Sequence, residues 1–175
     1  MDFYEVIKTR RSVRSFSDEP IPEEVLERVL NAARIAPSGS NRQPTRLIVV
    51  KDAAARKALV PLCHGQRFVG EAPVVIVACG RNLDYNRGGY MGDMSMLVDV
   101  TIAFDHLTLA ARAEGLGTCW IGSFDNAAVK EHLGIPENFE VVAATPLGYP
   151  EGSPFVETTD RLPLEEITCD EKWEF

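Results

Sequence analysis

Pro73-Val74-Val75-Ile76-Val77-Ala78-Cys79 runs without a charge or an amide side chain. It is too short for a typical buried helix and rich in β-branched residues, so it reads as a strand covered on both faces. Helices and strands alternate outward from it. Upstream, Leu47–Val50 is a second apolar strand, and Asp52 caps a helix over Ala53–Leu62. Pro20-Ile21-Pro22-Glu23-Glu24 opens a helix whose face is Val25, Leu26, Val29, Leu30 and Ala33, and which stops at Pro37. Phe3–Thr9 suits a short helix. Downstream, Gly80–Gly92 reads as a loop. A long helix follows from Asp93 to Glu114, with Met96, Val100, Ala103, Phe104, Leu107 and Ala111 as its apolar stripe and Gly115 as its cap. Thr118–Ile121 is a short strand, Asp125 caps a helix to Leu133 closed by Gly134, and Val141–Thr145 is the last core strand. The pattern predicts one α+β domain over residues 1–175, with a mixed sheet between helices.

The 175 residues are 45% hydrophobic and 25% charged, which excludes a disordered or fibrous chain. The net charge of −8 disfavours nucleic acid as a partner. No unbroken apolar run reaches the roughly 18–20 residues of a membrane span, and no signal-peptide pattern opens the chain. The expected location is the cytoplasm. Cys63, Cys79, Cys119 and Cys169 are too widely spaced for a zinc or thioredoxin-like motif, and Cys63-His64 alone is weak as a metal site. The expectation is free thiols and no metal. The tail from Pro150 carries Phe155, Leu162, Leu164, Ile167, Trp173 and Phe175, which are costly in water and call for a packing partner. A second subunit is the natural one.

Three segments could carry chemistry. Arg10-Arg11-Ser12-Val13-Arg14 is either an anion trap or a solvated basic turn. Ala36-Pro37-Ser38-Gly39-Ser40-Asn41-Arg42-Gln43-Pro44 is either a polar turn or a loop that grips the edge of a heterocycle. Gly115-Leu116-Gly117-Thr118-Cys119-Trp120-Ile121-Gly122-Ser123-Phe124 is either a tight strand with two bends or a surface where Gly117 and Gly122 admit a flat ligand. His106 reads as structural, and no basic neighbour marks Cys119 as a nucleophile. The serine elbow, the dinucleotide glycine fingerprint and the phosphate-binding P-loop are all missing from the chain.

In this order, the three segments resemble the nitroreductase family of FMN-dependent oxidoreductases. Glu71-Ala72-Pro73, Pro146-Leu147-Gly148-Tyr149-Pro150 and Arg161-Leu162-Pro163-Leu164 extend the likeness along the chain. The resemblance implies an α+β sandwich forming an intertwined homodimer with a C-terminal arm and FMN at the subunit interface. By the same resemblance, Arg10, Ser12 and Arg161 hold the FMN phosphate, with Arg11 as a helper. Arg14 lies at the flavin N1–C2 edge, where a fixed cation favours negative charge. Pro37, Ser38, Gly39, Ser40 and Asn41 come from the other subunit. Trp120, Ile121, Gly122 and Ser123 cover the ring near N5 through backbone groups, and Gln43 and Gln66 lie near the ring or ribityl chain. No protein acid or base is required. Tyr85 and Tyr90, with Arg87 nearby, are candidates to stack on substrate from a short lid. The implied activity is hydride transfer from NAD(P)H through FMN to a nitroaromatic, quinone or similar acceptor. Alternatives are a protein electron donor in place of the nicotinamide, a flavin storage, delivery or sensor protein, and a flavin-free phosphate-ligand dimer.

Overall fold

The computed structural model describes residues 1–83 and 89–173, the side chains of residues 89–91 and 93 excepted. Helix α1 spans Phe3–Thr9 and α2 spans Glu23–Arg34, followed by a single 3-10 turn at Gly39–Asn41. Strand β1 is Arg46–Val50, α3 is Ala53–Leu62, α4 is Phe68–Glu71 and β2 is Val74–Gly80. Then come α5 at Gly89–Ala113, β3 at Gly117–Thr118, α6 at Asn126–Leu133 and β4 at Glu140–Gly148. A second 3-10 turn lies at Leu164–Glu166.

Every residue of β2 is buried, as its composition predicts. Its alternation feeds two different cores. Val75, Val77 and Cys79 pack with Leu59, Cys63, Val69 and Val129 from the α3, α4 and α6 side. Val74 and Ile76 pack with Leu26 and Val29 of α2 and Ala103 and Leu107 of α5. Ala78 meets Met96, Val100 and Phe104 of α5. The result is a three-layer sandwich in the strand order β1-β2-β4-β3.

The expected mixed sheet is antiparallel in all of its ladders. The parallel contact among the described residues is one bridge, Ser12 to Thr118, where the N-terminal segment lies along β3. Between β2 and β4 the register shifts after Ala78, so that Ala78 faces Ala143 while Cys79 faces Val141. Val142 is the extra residue of that bulge.

Local signals place most boundaries. The side chains of Asp52 and Asp125 accept hydrogen bonds from Ala55 N–H (2.8 Å) and Ala128 N–H (3.0 Å), and Gly134 closes α6 at φ 65°. Two expectations change. Helix α5 begins at Gly89 rather than Asp93 and β2 includes Gly80, so both ends of the loop expected over Gly80–Gly92 belong to regular elements. Tyr90 therefore belongs to a helix, its side chain outside the described residues, and Tyr85 and Arg87 also lie outside them. Within α5, Met94–Ala113 has mean hydropathy 1.3, long and apolar enough to cross a membrane by length and composition. Unbroken runs had hidden this, because Asp99, Asp105 and Arg112 punctuate the segment. Half of it is buried inside the protein.

Candidate functional site

The chain leaves α1 at Arg10 and runs extended beside β3. Val13 N–H donates to the Thr118 carbonyl at 2.8 Å. Strand alternation then buries Val13, 4% exposed, and turns Ser12 and Arg14 outward. Among the described residues, neither Arg10 nor Arg14 has a carboxylate partner, in a chain carrying eight excess negative charges. The Arg14 guanidinium lies 5.9 Å from the centre of the Phe68 ring.

Beneath these side chains sits Cys119. Burial pushes its thiol pKa up, and Arg14, a hydrogen bond from the Ser12 hydroxyl, and Arg10 pull it only partly back. The thiol is therefore neutral near pH 7 and unsuited to nucleophilic attack. Cys63 is buried, whereas the adjacent His64 is exposed in a left-handed turn at φ 53°.

Gly117 allows a close approach, as expected, but the neighbour is this chain's own Val13. A Cβ at position 117 would stand 2.7 Å from Val13 Cβ and under 3 Å from both of its methyls. Val13 cannot swing away, because its backbone is bonded to Thr118. Gly117→Ala is expected to destabilise the protein by about 1–3 kcal/mol through overpacking. A urea midpoint that falls with unchanged slope checks this. In the double variant with Val13→Ala the cost should be less than the sum of the two singles.

The strand expected over Thr118–Ile121 stops at Thr118, and beyond it Ile121 forms an isolated bridge, exchanging both backbone hydrogen bonds with Ala144 at 2.8 and 3.0 Å. Alternation aims the flanking Gly122 amide away from β4. Among the described residues the Gly122 amide donates no hydrogen bond, and the space where a Gly122 Cβ would stand is open. Trp120 is 41% exposed and packs edge-on against Phe104, ring centres 4.5 Å apart. Gln66 Nε2 ties the Ser123 carbonyl (3.2 Å) to that of Cys63 (3.0 Å). Gln66 thus braces the strand end.

The tail folds back on the N-terminal segment of the same chain. Glu151 N–H donates to the Ser15 carbonyl, Arg11 Nε and Nη2 donate to the Val156 (3.1 Å) and Glu157 (2.9 Å) carbonyls, and Thr158 N–H donates to the Lys8 carbonyl at 3.0 Å. Arg11 therefore fastens the tail. Arg161 follows three residues after Thr158, on the exposed part of the arm. Leu162, Leu164, Ile167 and Trp173 remain exposed, Trp173 at 84%.

The polar loop after α2 lies elsewhere, and its hydrogen bonds include ones within itself, to α5 and to Arg46 of β1. Ser40, Asn41 and Gln43 all adopt positive φ, between 50° and 53°. Such a series is costly and is held by its surroundings. Gln43 N–H donates to the Ser38 hydroxyl, and Gly39 N–H donates to the Asp99 carboxylate of α5, both at 2.9 Å. A cavity of about 210 Å³ lies behind the loop, lined by Pro37, Ser38, Gln43 and Asp99 among others. The sequence reading passed over Asp99 and Arg112. Their available signal was a charge set among the apolar positions of α5.

Comparison with known proteins identifies the family and the fold. Residues 7–68 and 63–149 match the nitroreductase family. The chain is 37% identical over 173 residues to an Archaeoglobus fulgidus protein provisionally named NADH dehydrogenase/NAD(P)H nitroreductase, covering 96% of this chain and 97% of that one. It is 30% identical to a Bacillus subtilis FMN reductase [NAD(P)H], over 97% of this chain and 74% of the relative. The structure superimposes on NADPH:FMN oxidoreductase from Vibrio harveyi, solved with NAD+, with a TM-score of 0.88 at 29% identity, covering 99% of this chain and 78% of that one. With the family model matched over most of its length and a relative 37% identical across nearly all of both chains, the chain belongs to the nitroreductase family.

Proposed function

We propose that this protein is an FMN-dependent oxidoreductase that takes two electrons from NAD(P)H and delivers them to a nitroaromatic, a quinone or another small conjugated acceptor. One observation carries the reading. Arg10 and Arg14, without carboxylate partners among the described residues, stand on a segment pinned to β3, which leads through the Ile121 bridge to the unpaired Gly122 amide. A phosphate with a flat, hydrogen-bonding ring attached matches that donor set, so the residues fit FMN. When bound, FMN supplies reversible two-electron transfer at N5.

In this reading Arg10, Ser12 and Arg161 bind the phosphate by charge-assisted hydrogen bonds. Arg14 places a fixed positive charge at the N1–C2 edge. The Gly122 amide, aimed outward because Ile121 faces Ala144, holds the ring at N5. The loop from Pro37 to Asn41 and the apolar side chains of the arm serve a second copy of the chain, which covers Leu162, Leu164, Ile167 and Trp173.

The purified protein is expected to show flavin absorption that bleaches when NADH or NADPH is added without oxygen. By light scattering, the same preparation is expected to have the mass of two chains. Bands that persist until dithionite is added would defeat the nicotinamide part of the reading. A colourless protein that takes up no FMN would defeat all of it.

A further inference from the structure

We propose that Arg112 is a positioning residue for phosphate recognition: it latches the tail at Phe155 to the end of α1 and so delivers Arg161 beside Arg10 and Ser12. The inference rests on the assignment of Arg161 to the FMN phosphate.

Arg112 lies in the last turn of α5 and is only 6% exposed. Its Nε donates to Thr9 Oγ1 at 3.0 Å, and its guanidinium stands 4.1 Å from the centre of the Phe155 ring. No carboxylate forms an ion pair with it among the described residues. Burial pulls its pKa down, opposed in part by the charge of Glu5. Filling this space alone calls for an apolar side chain, because an ion-pair-free buried guanidinium is costly. A guanidinium does more here. Its flat face fixes the Phe155 ring by a cation–π contact while its edge fixes Thr9, the last residue of α1.

The two ends joined by this contact are those that must meet. Thr9 immediately precedes Arg10. Phe155 immediately precedes the Val156 and Glu157 carbonyls held by Arg11 and the Thr158 amide bonded to Lys8. The exposed Lys8–Glu157 pair at 3.7 Å adds little to the latch. Beyond Thr158, among the described residues, the tail's backbone hydrogen bonds are local, such as Arg161 N–H to the Thr159 carbonyl at 3.1 Å. Three residues span at most about 10 Å. Anchoring Thr158 therefore confines Arg161 to the neighbourhood of Arg10, and loosening the contact at Phe155 weakens that anchorage and widens the space Arg161 can reach.

Equilibrium dialysis of the full-length protein against FMN and, separately, riboflavin tests this, since riboflavin lacks the phosphate. Arg112→Met is expected to weaken FMN by about tenfold, the loss of one charge-assisted contact, and riboflavin by less than about twofold. Phe155→Leu, which keeps an apolar side chain, is expected to show the same selectivity and carries the test if Arg112→Met does not fold. The double variant Arg112→Met/Arg161→Ala should bind FMN no more weakly than Arg161→Ala alone. Equal losses for both flavins, or additive losses in the double variant, would overturn the inference. If Arg161→Ala discriminates between the flavins and Arg112→Met does not, the latch alone fails. If Arg161→Ala does not discriminate, the phosphate assignment fails and takes the latch with it.

Discussion

Phe104→Ala lowers the unfolding free energy by about 3–5 kcal/mol, the range for deleting a fully buried aromatic ring. Phe104 has no exposed surface and packs with Ala78, Met96, Val100 and Ala143 where α5 crosses the sheet. Two of those neighbours are alanines on the strands, too short to collapse into the gap, so the upper half of the range is expected. The ring also supports Trp120 edge-on. Its loss should therefore reach the strand end that carries Gly122. Denaturant titration at fixed protein concentration, followed by tryptophan fluorescence, reads both effects. A loss below about 1 kcal/mol would show that the site repacks and that the contact with Trp120 is incidental.

Arg14→Met should leave the flavin bound and lower its two-electron midpoint potential by about 30–60 mV. A hydrogen bond to a charged group contributes about 1.5–3 kcal/mol, and about 30 mV corresponds to 1.4 kcal/mol for a two-electron couple. The direction follows from charge. Reduction places negative charge at the N1–C2 edge, so removing a cation there disfavours the reduced form. Arg14 is exposed on the strand beside Thr118 and has no carboxylate to neutralise it among the described residues, so it is free to act this way. Dye-coupled anaerobic reduction measures the potential. An unchanged potential with weakened FMN binding would instead assign Arg14 to the phosphate.

How much of this was legible follows from how far apart the deciding atoms lie. The starts of α3 and α6 and the end of α6 were legible because Asp52, Asp125 and Gly134 act on amides and dihedrals within a few residues. The burial of β2 was legible because an unbroken apolar run has no side chain to offer water. Helix α4 was not read from the sequence, since its four residues include Gly70 and its N-cap makes no side-chain hydrogen bond. The early start of α5 was hidden by glycines at 88, 89 and 92 that read as a loop. The antiparallel ladders were also beyond reach, because alternation within one strand says nothing about the direction of its neighbours.

The site divides in the same way. By itself, the sequence determined which residues could bind an anion and a flat ring, because charge, hydroxyls and prolines are properties of single residues and short segments. It determined the core strand and most caps for the same local reason. Only the tertiary structure decided that Gly117 accommodates Val13, that Arg11 holds the tail, and that Asp99 steadies the strained loop. It alone brought Arg112 between Thr9 and Phe155. Each of these rests on a contact between segments far apart in the chain, and such contacts exist only after the apolar faces of β2, α2 and α5 have closed around one another.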